Sequence, residues 1–594
     1  ATSQLHNSSY AAYVKSGAHK VAVLPCRAAV ENAKKIKVNE AEGKGLLHCG
    51  EYNILSDWLD RLGKDHVSAA LNILDARLLI ENGKPREALV ILARTKKDLQ
   101  GEDITINHDC SLAYAKCMRE LNRLNKAVEE LERLLEMQLN PQTRVEALQL
   151  LAINYCSLLN DEGMQRCTRQ VNEVRLENVN VEDEIQIASM ISISMKYFRQ
   201  GLFELACDSL EQGLNHPRLP LSQRILLENN LASGLMLLGR YEEAITLASS
   251  CLRKIEKDRF EKYLRSTLDT FGCLLIATGE TDAGEEYLRK SLSATLQLSY
   301  GHIDECPPRC HLGTLARRSE NPAQAYKEHL KLVISAKKLH EVLDETIGEA
   351  NLGADLVRLG NFAEAEKHFI KAARYSKMYN FRYPLTHVYF HRAWAAILKD
   401  DEKKAVRNIK LSLRQAKKYQ HNHFIIQEGK ISLPLFTLAL RHAIEPDYVC
   451  WILEKLGEIA LPAIEPALNH ESAEIRNKLA ALLGGVHTTG SLTLLRRMRN
   501  DNDERVKKTA RSFLTIIRKK NQTSIDLLTR REMEVLKWVS TGATNSQIGV
   551  NLFISESTVK THIAGIFRKL GFTSRIEAVL YYQELQRKDT TFQE

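Results

Sequence analysis

The sequence predicts an all-α protein. A helical-repeat solenoid is expected over residues 51–445, a short helical connector over 446–520 and a four-helix C-terminal domain over 521–594, with 1–50 an N-terminal helical segment. A small residue recurring about every 40 residues predicts the first part, a basic stretch with two short self-similar copies the second, and a run of helix-capping signals the third.

At 594 residues the chain exceeds what one compact core holds. Hydrophobic residues at 44% and charged residues at 26% exclude a disordered or collagen-like chain, and no window reaches the ~18 uninterrupted apolar residues of a membrane-spanning helix. The opening ATSQLHNSSY lacks the basic and apolar regions of a secretory signal, so a cytoplasmic location without a membrane partner is expected. A first residue of Ala1 fits either initiator removal or a piece of a longer chain. Twelve cysteines scattered over this length, Cys110 and Cys117 among them, are expected as small buried hydrophobes and not as disulfides.

Segments such as LIENGKPREALVIL, LMLLGRYEEAITLA and LVRLGNFAEAEKHF share an apolar helical run, a Gly or small polar turn, and an Ala a few residues on. Marking that small residue gives Ala88, Ala127, Cys167, Ala206, Ala244, Gly284, Ala325, Ala365 and Ala405, at intervals of 38 to 41 residues. Each unit reads as two antiparallel helices. Gly83, Gly201, Gly239, Gly279 and Gly360 end the first helix in a left-handed conformation, and the small marker lets the second helix come close. Apolar residues at i, i+3, i+4 and i+7 then stack unit on unit. The pattern resembles the tetratricopeptide family, with a period longer than its usual ~34 residues. Such a superhelix offers a concave face to a peptide, a protein or a small effector. The aromatic residues Tyr197, Phe198, Tyr241, Phe362, Tyr389 and Trp394 are expected mainly in its core.

Beyond residue 446 the stretches SAEIRNKLA and DERVKKTA align Ile475 over Val506, Arg476 over Lys507 and Leu479 over Ala510. This resembles a HEAT-type helix; a plain helical linker is the alternative. Residues 491–520 hold ten Lys or Arg against three acidic residues, which makes Arg496, Arg497, Lys507 and Lys508 candidates for neutralising phosphates.

In the last part, Thr529 with Glu532, Thr544 with Gln547 and Ser574 with Glu577 fit capping boxes, and Ser555 is a further N-cap. Gly542 and Gly571 end the first and third of four helices, at about 529–540, 545–552, 556–570 and 574–584. Val535, Leu536, Val539, Ile548, Leu552, Val559, Ile563, Phe567 and Leu570 can form one core around a helix-turn-helix, whose turn is Phe553, Ile554 and Ser555. Together with Leu528, Arg530, Arg531, Asn545, Thr558, Lys560, His562, Ile566 and Lys569, these residues resemble the LuxR-type helix-turn-helix over about 60 positions.

That resemblance implies base reading by Lys560, Thr561 and Ala564, phosphate contacts from Ser557, Thr558, Arg568 and Lys569, and a dimer helix using Ala578, Val579 and Tyr582. Chemically, Lys donates to guanine O6 and N7 and the Thr methyl meets a thymine methyl. Gln547, Gly549 and Gly565 depart from the family's usual residues, and Gly565 within a helix costs ~1 kcal/mol relative to Ala. The domain's net charge is only +1, so the basic connector or a dimer would have to add phosphate contacts.

Upstream, the segment from Gly50 to Leu89 and AIEPDYVCWILEKLG at 443–457 resemble the sensor region of the large LuxR-type regulators related to the maltose-regulon activator. Their ATPase has no counterpart here, since Gly43, Lys44 and Gly45 lack the phosphate loop and its hydroxyl. The chain is then either a C-terminal portion or a regulator that works without ATP, and no cofactor is expected. His302, Cys306, Cys310 and His311 have zinc-ligand chemistry without a finger spacing and read as an inter-repeat loop, so no metal is expected. His421 and His423 read as a polar helix end, and no nucleophile, base and orienter can be assigned, so no enzyme is expected.

These features together predict a bacterial sequence-specific transcription regulator. Its expected partners are double-stranded DNA, RNA polymerase, an effector or protein on the solenoid, and a second copy on DNA. The alternative is an interaction scaffold whose helix-turn-helix does not read DNA.

Overall fold

The computed structural model describes residues 52–62, 68–99, 104–177, 182–216, 221–258, 261–298, 303–526 and 528–570, with single positions between 43 and 47, at 219 and between 572 and 582. Most of the expected N-terminal segment lies outside these residues. Every element among the described residues is helical, and the chain divides into two units, Ala1–Tyr448 and Val449–Glu594.

The first unit holds nine described antiparallel helix pairs, from Ala69–Glu81 with Pro85–Asp98 to Arg382–Ile397 with Glu402–Tyr419. In eight of them the marker residue opens the second helix. The N–H of Ala88, Ala127, Ala206, Ala244, Gly284, Ala325, Ala365 and Ala405 donates to the carbonyl four residues earlier, and all eight are buried against the first helix.

The third pair corrects the sequence register. There Met164 makes the bond, to the Asn160 carbonyl, and Cys167 lies nearly one turn further on. The preceding Gly163 lies under the Tyr155 ring, where a Cβ would stand 2.8 Å from it, and this close seating gives the larger Met164 its place. Cys167 is buried as well, so a small-residue pattern selects it equally well.

Pair six shows why one marker is a glycine. A Cβ on Gly272 would come within 2.8 Å of the Gly284 carbonyl oxygen, and one on Gly284 within 2.6 Å of the Gly272 oxygen. Within pairs, the turn takes the left-handed conformation whether or not glycine is present, with φ between 54° and 60° at Asn122, Leu159, Glu320 and Asp400.

The stack winds so that the turns of pairs two, four and five meet the chain about five units on. Asn122 Nδ2 donates to the Leu339 carbonyl at 2.7 Å, Arg382 to the Gln200 carbonyl at 3.2 Å, and Asn422 Nδ2 to the Leu238 carbonyl at 3.0 Å. His421 Nε2 lies 3.0 Å from the Gly201 carbonyl, with its other ring nitrogen 2.8 Å from the Thr386 hydroxyl. Gly201 is obligatory here: its φ is +70°, and a Cβ would sit 3.0 Å from the Tyr383 backbone. These bonds satisfy turn carbonyls that the helices leave unpaired.

His421 and His423 do lie at a helix end, the start of Asn422–Gly429, but they face inward and not toward solvent. His421 is fully buried, and His423 Nδ1 lies 3.1 Å from the Tyr241 hydroxyl. The six repeat aromatics lie at the margin of the core. All are half-buried; Phe198 and Tyr241 pack against one hydrophobic cluster of the repeats and Phe362 and Trp394 against another.

In the second unit, Ala473–Val486 packs against Glu504–Asp526, with Thr489–Met498 between them in sequence. Ile475, Leu479, Val506 and Ala510 are all buried, as the two aligned copies require. Arg476 grips Asp501 through two bonds of 2.8 and 2.9 Å. The helix Glu504–Asp526 runs unbroken across the expected boundary at 520.

Candidate nucleic-acid interface

Three helices, Arg530–Ser540, Asn545–Leu552 and Glu556–Leu570, form the C-terminal domain together with described positions up to Tyr582. Two of the three expected capping boxes are formed among the described residues: Thr529 and Glu532 cap each other's backbone N–H groups, as do Thr544 and Gln547. Ser555 Oγ accepts from the Thr558 N–H at 3.1 Å and starts the third helix. The third expected box, Ser574 with Glu577, and Gly571 lie outside the described residues.

Val535, Leu536, Val539, Ile548, Val559 and Ile566 are buried together, with Leu552, Ile563, Phe567 and Leu570 packed around them. Gly549 allows the tight turn: a Cβ there would lie 2.7 Å from the Ile554 carbonyl oxygen. Phe553 takes a left-handed φ of 54° and closes the second helix. Arg531 joins the first and second helices, bonding Glu534 at 2.6 Å and the Leu552 carbonyl. Arg575 bonds Asn545 at 2.8 Å and the Ala543 carbonyl, fixing the start of the second helix.

This frame leaves one face of the third helix open. Ser557, Lys560, Thr561, Ala564 and Arg568 are all exposed, at spacings that place them in one stripe. The Lys560 ammonium rests 2.9 Å from Glu556, an exposed pair that costs little to break. The Thr561 hydroxyl donates to the Ser557 carbonyl at 3.1 Å, which leaves its methyl group for apolar contact. Ser555, Ser557 and Thr558 bring three hydroxyls within 2.7 Å steps at the helix N-terminus, a geometry suited to a phosphate.

Other expected contacts are placed differently. Lys569 is only 29% exposed and its ammonium binds Glu532 at 2.6 Å, so it braces the domain and is not offered to phosphate. Glu532 explains Gly565 too, because its carboxylate lies 3.0 Å from where a Cβ would be. Ala578 cannot serve a dimer surface, since it is fully buried in the domain's core, while Val579 and Tyr582 are half-buried beside it. In the connector, Arg497 pairs with Glu465 at 2.5 Å and Lys507 with Glu504 at 2.6 Å. Lys508 and Arg511, the latter not singled out from sequence, share an exposed face of the long helix with Ser512 and Thr515.

The winding of the first unit encloses a cavity of about 400 Å³. Phe198, Phe203, Met236, Tyr383 and Phe424 give it an apolar wall, and Asp269, His311, Arg317, Arg318 and Gln427 a polar one. Arg317 binds Asp355, Asn351 and Glu428 at 2.8, 3.0 and 2.6 Å through its two terminal nitrogens, Arg318 reaches Gln427, and the Nε of each is buried without a hydrogen-bond partner. His311 belongs to a helix, Cys306–Arg318, and not to the expected loop. Cys306 is packed against Leu332 and Leu339, Cys310 accepts from Asn351, and His302 lies outside the described residues. His311 instead meets Asp269 and Cys273 of an earlier pair, a trio that sequence spacing gave no means to find.

A helical-repeat unit coupled in one chain to a capped helix-turn-helix domain is the class this fold defines. Residues 526–582 match the family described as "Bacterial regulatory proteins, luxR family", and this part of the chain is a LuxR-type DNA-binding domain. The chain is 45% identical over 74 residues to the "Nitrate/nitrite response regulator protein homolog" of Haemophilus influenzae, covering 12% of this chain and 36% of that one. It is 43% identical over 68 residues to the "CsgBAC operon transcriptional regulatory protein" of Escherichia coli, covering 11% and 32%. The chain thus spans about a third of the length of the curated relatives it matches. Among solved structures, a Rap protein complexed with competence and sporulation factor matches at a TM-score of 0.43 and 12% identity, over 67% of this chain and 98% of that one.

Proposed function

We propose that the protein is a sequence-specific DNA-binding transcription regulator whose helical-repeat unit takes up an effector in its enclosed cavity. The observation that carries this is the exposed stripe of Ser557, Lys560, Thr561, Ala564 and Arg568 on a third helix that Lys569 ties to the box-capped first helix. An apolar cavity with a few convergent polar groups is the usual form of a small-molecule site.

The proposed role is regulatory and not catalytic. Burial pushes the Cys273 thiol up despite the neighbouring His311, the opposite of an activated nucleophile. Pairing of two copies on DNA, contact with RNA polymerase and action in the cytoplasm complete the proposal. No described helix is long and apolar enough to cross a membrane. Selection from a randomised duplex pool tests the reading: enrichment of one motif supports it, and recovery of an unenriched pool counts against it.

A further inference from the structure

We infer that Asp269, Cys273 and His311 form a binding site for a divalent transition-metal ion of the zinc type on the wall of the solenoid cavity. The inference does not depend on the DNA-binding reading.

Asp269 and Cys273 stand one helical turn apart on Glu261–Thr278, and so project from the same face. His311 comes from Cys306–Arg318 in the next pair and brings its Nδ1 to 3.0 Å from Asp269 Oδ1. One ligand atom from each residue lies within 4.8 Å of the other two. Zinc bonds of about 2.0–2.3 Å in a tetrahedron need ligand atoms about 3.3–3.8 Å apart, so rotamer adjustments of about 1 Å complete the site.

The chemistry of the set is selective. A soft thiolate and a borderline imidazole, joined by one hard carboxylate, suit zinc, cobalt(II) or iron(II) ahead of magnesium or calcium. Asp269 and the Cys273 thiolate carry two negative charges, which neutralise a dication at a place where Asp269 is 7% and Cys273 6% exposed. The remaining buried thiols have other neighbours: Cys117 faces the Pro85 carbonyl, Cys156 faces Arg199 and Cys251 faces Glu228. Among the described residues, this is the one place where His, Cys and a carboxylate meet in such a group.

All three residues line the cavity, so an ion held by them keeps a coordination position open toward its interior. On uptake the thiol proton of Cys273 and the proton that His311 Nδ1 shares with Asp269 both pass to buffer, and the His311–Asp269 hydrogen bond is exchanged for two metal bonds, one from each residue. The site thereby gives the cavity a Lewis-acidic point for a ligand oxygen, nitrogen or sulfur atom.

The test is a titration of the purified full chain with cobalt(II) chloride, followed by zinc competition. The expected result is one equivalent bound with a thiolate-to-cobalt charge-transfer band, displaced by zinc. Cys273→Ser and the near-isosteric Asp269→Asn should each weaken binding about 100-fold or more, beyond the loss typical of an outer-shell partner. Cys310→Ser, on the same helix as His311, should keep the band. Circular dichroism confirms that each variant is folded. Absence of the band in the wild type, or a band that persists in Cys273→Ser, overturns the inference, and neither result bears on DNA binding.

Discussion

Lys569, in the last turn of the third helix, places its ammonium 2.6 Å from Glu532, the residue that closes the capping box of the domain's first helix. One carboxylate therefore caps one helix and anchors the end of the helix that faces DNA. Burial alone would raise the Glu532 carboxyl, but the Lys569 ammonium and the Thr529 hydrogen bonds outweigh it and hold it below the ordinary range.

Removing that carboxylate should loosen both helices. Glu532→Ala is expected to destabilise the domain by about 1–2 kcal/mol, the usual range for a lost cap and its partner. Because the folded-state value is depressed, the contribution is present above about pH 4.3 and lost as pH falls through the folded value. Thermal melts at pH 7 and pH 3.5 should therefore differ less in the variant than in the wild type.

A second prediction concerns the solenoid's buried network. His329 Nδ1 lies 2.5 Å from Asp355, which also binds Arg317, with none of the three more than 3% exposed. Burial disfavours the charged ring, yet Asp355 prevails and brings His329 up to about 9. Its stabilisation is complete below about pH 6.5 and disappears as pH rises through about 9. His329→Gln should remove that pH slope in urea denaturation. Asp355→Asn, which takes the carboxylate from His329 and leaves Arg317 with the Glu428 carboxylate alone, should cost about 3–5 kcal/mol.

At the pair-six crossing, Gly284→Ala should be destabilising although eight other pairs tolerate a side chain at the equivalent position. The obstruction is a backbone carbonyl 2.6 Å away, which cannot swing aside. A loss of about 1–3 kcal/mol is expected in chemical denaturation. Gly284→Ala with full stability would show that the two helices can separate freely.

On DNA, Arg568→Ala should weaken binding to all sequences alike and lower the salt slope by about 1, as loss of a phosphate contact does. Lys569→Ala should act through domain stability, with the salt slope unchanged, because Glu532 already holds its charge. Salt-dependent titrations of both variants separate the two roles.

The parts legible in the sequence are those set by local periodicity. Small residues at helix crossings, left-handed turns and capping boxes each leave a mark within a few residues, and the helices 545–552 and 556–570 lie where those marks put them. What could not be read depends on distance. Lys569 matches a phosphate-binding position by family, but Glu532, 37 residues away, captures it. Ala578 fits an apolar dimer stripe until the fold turns it inward. His311 sits among cysteines in sequence, yet its partners lie 38 and 42 residues upstream on a neighbouring pair. Cys167 and Met164 differ by nearly one turn, a shift that a small-residue pattern cannot resolve.

The central claim is that the exposed stripe on the third helix reads DNA sequence. Its most direct measurement is fluorescence anisotropy with a selected duplex and a scrambled duplex of equal length, comparing wild type and Lys560→Ala at one fixed salt concentration. The account predicts that the wild type prefers the selected duplex, that Lys560→Ala loses about 1–3 kcal/mol of that preference, and that both proteins bind the scrambled duplex alike. Equal discrimination by wild type and Lys560→Ala, or no discrimination by the wild type, would contradict it.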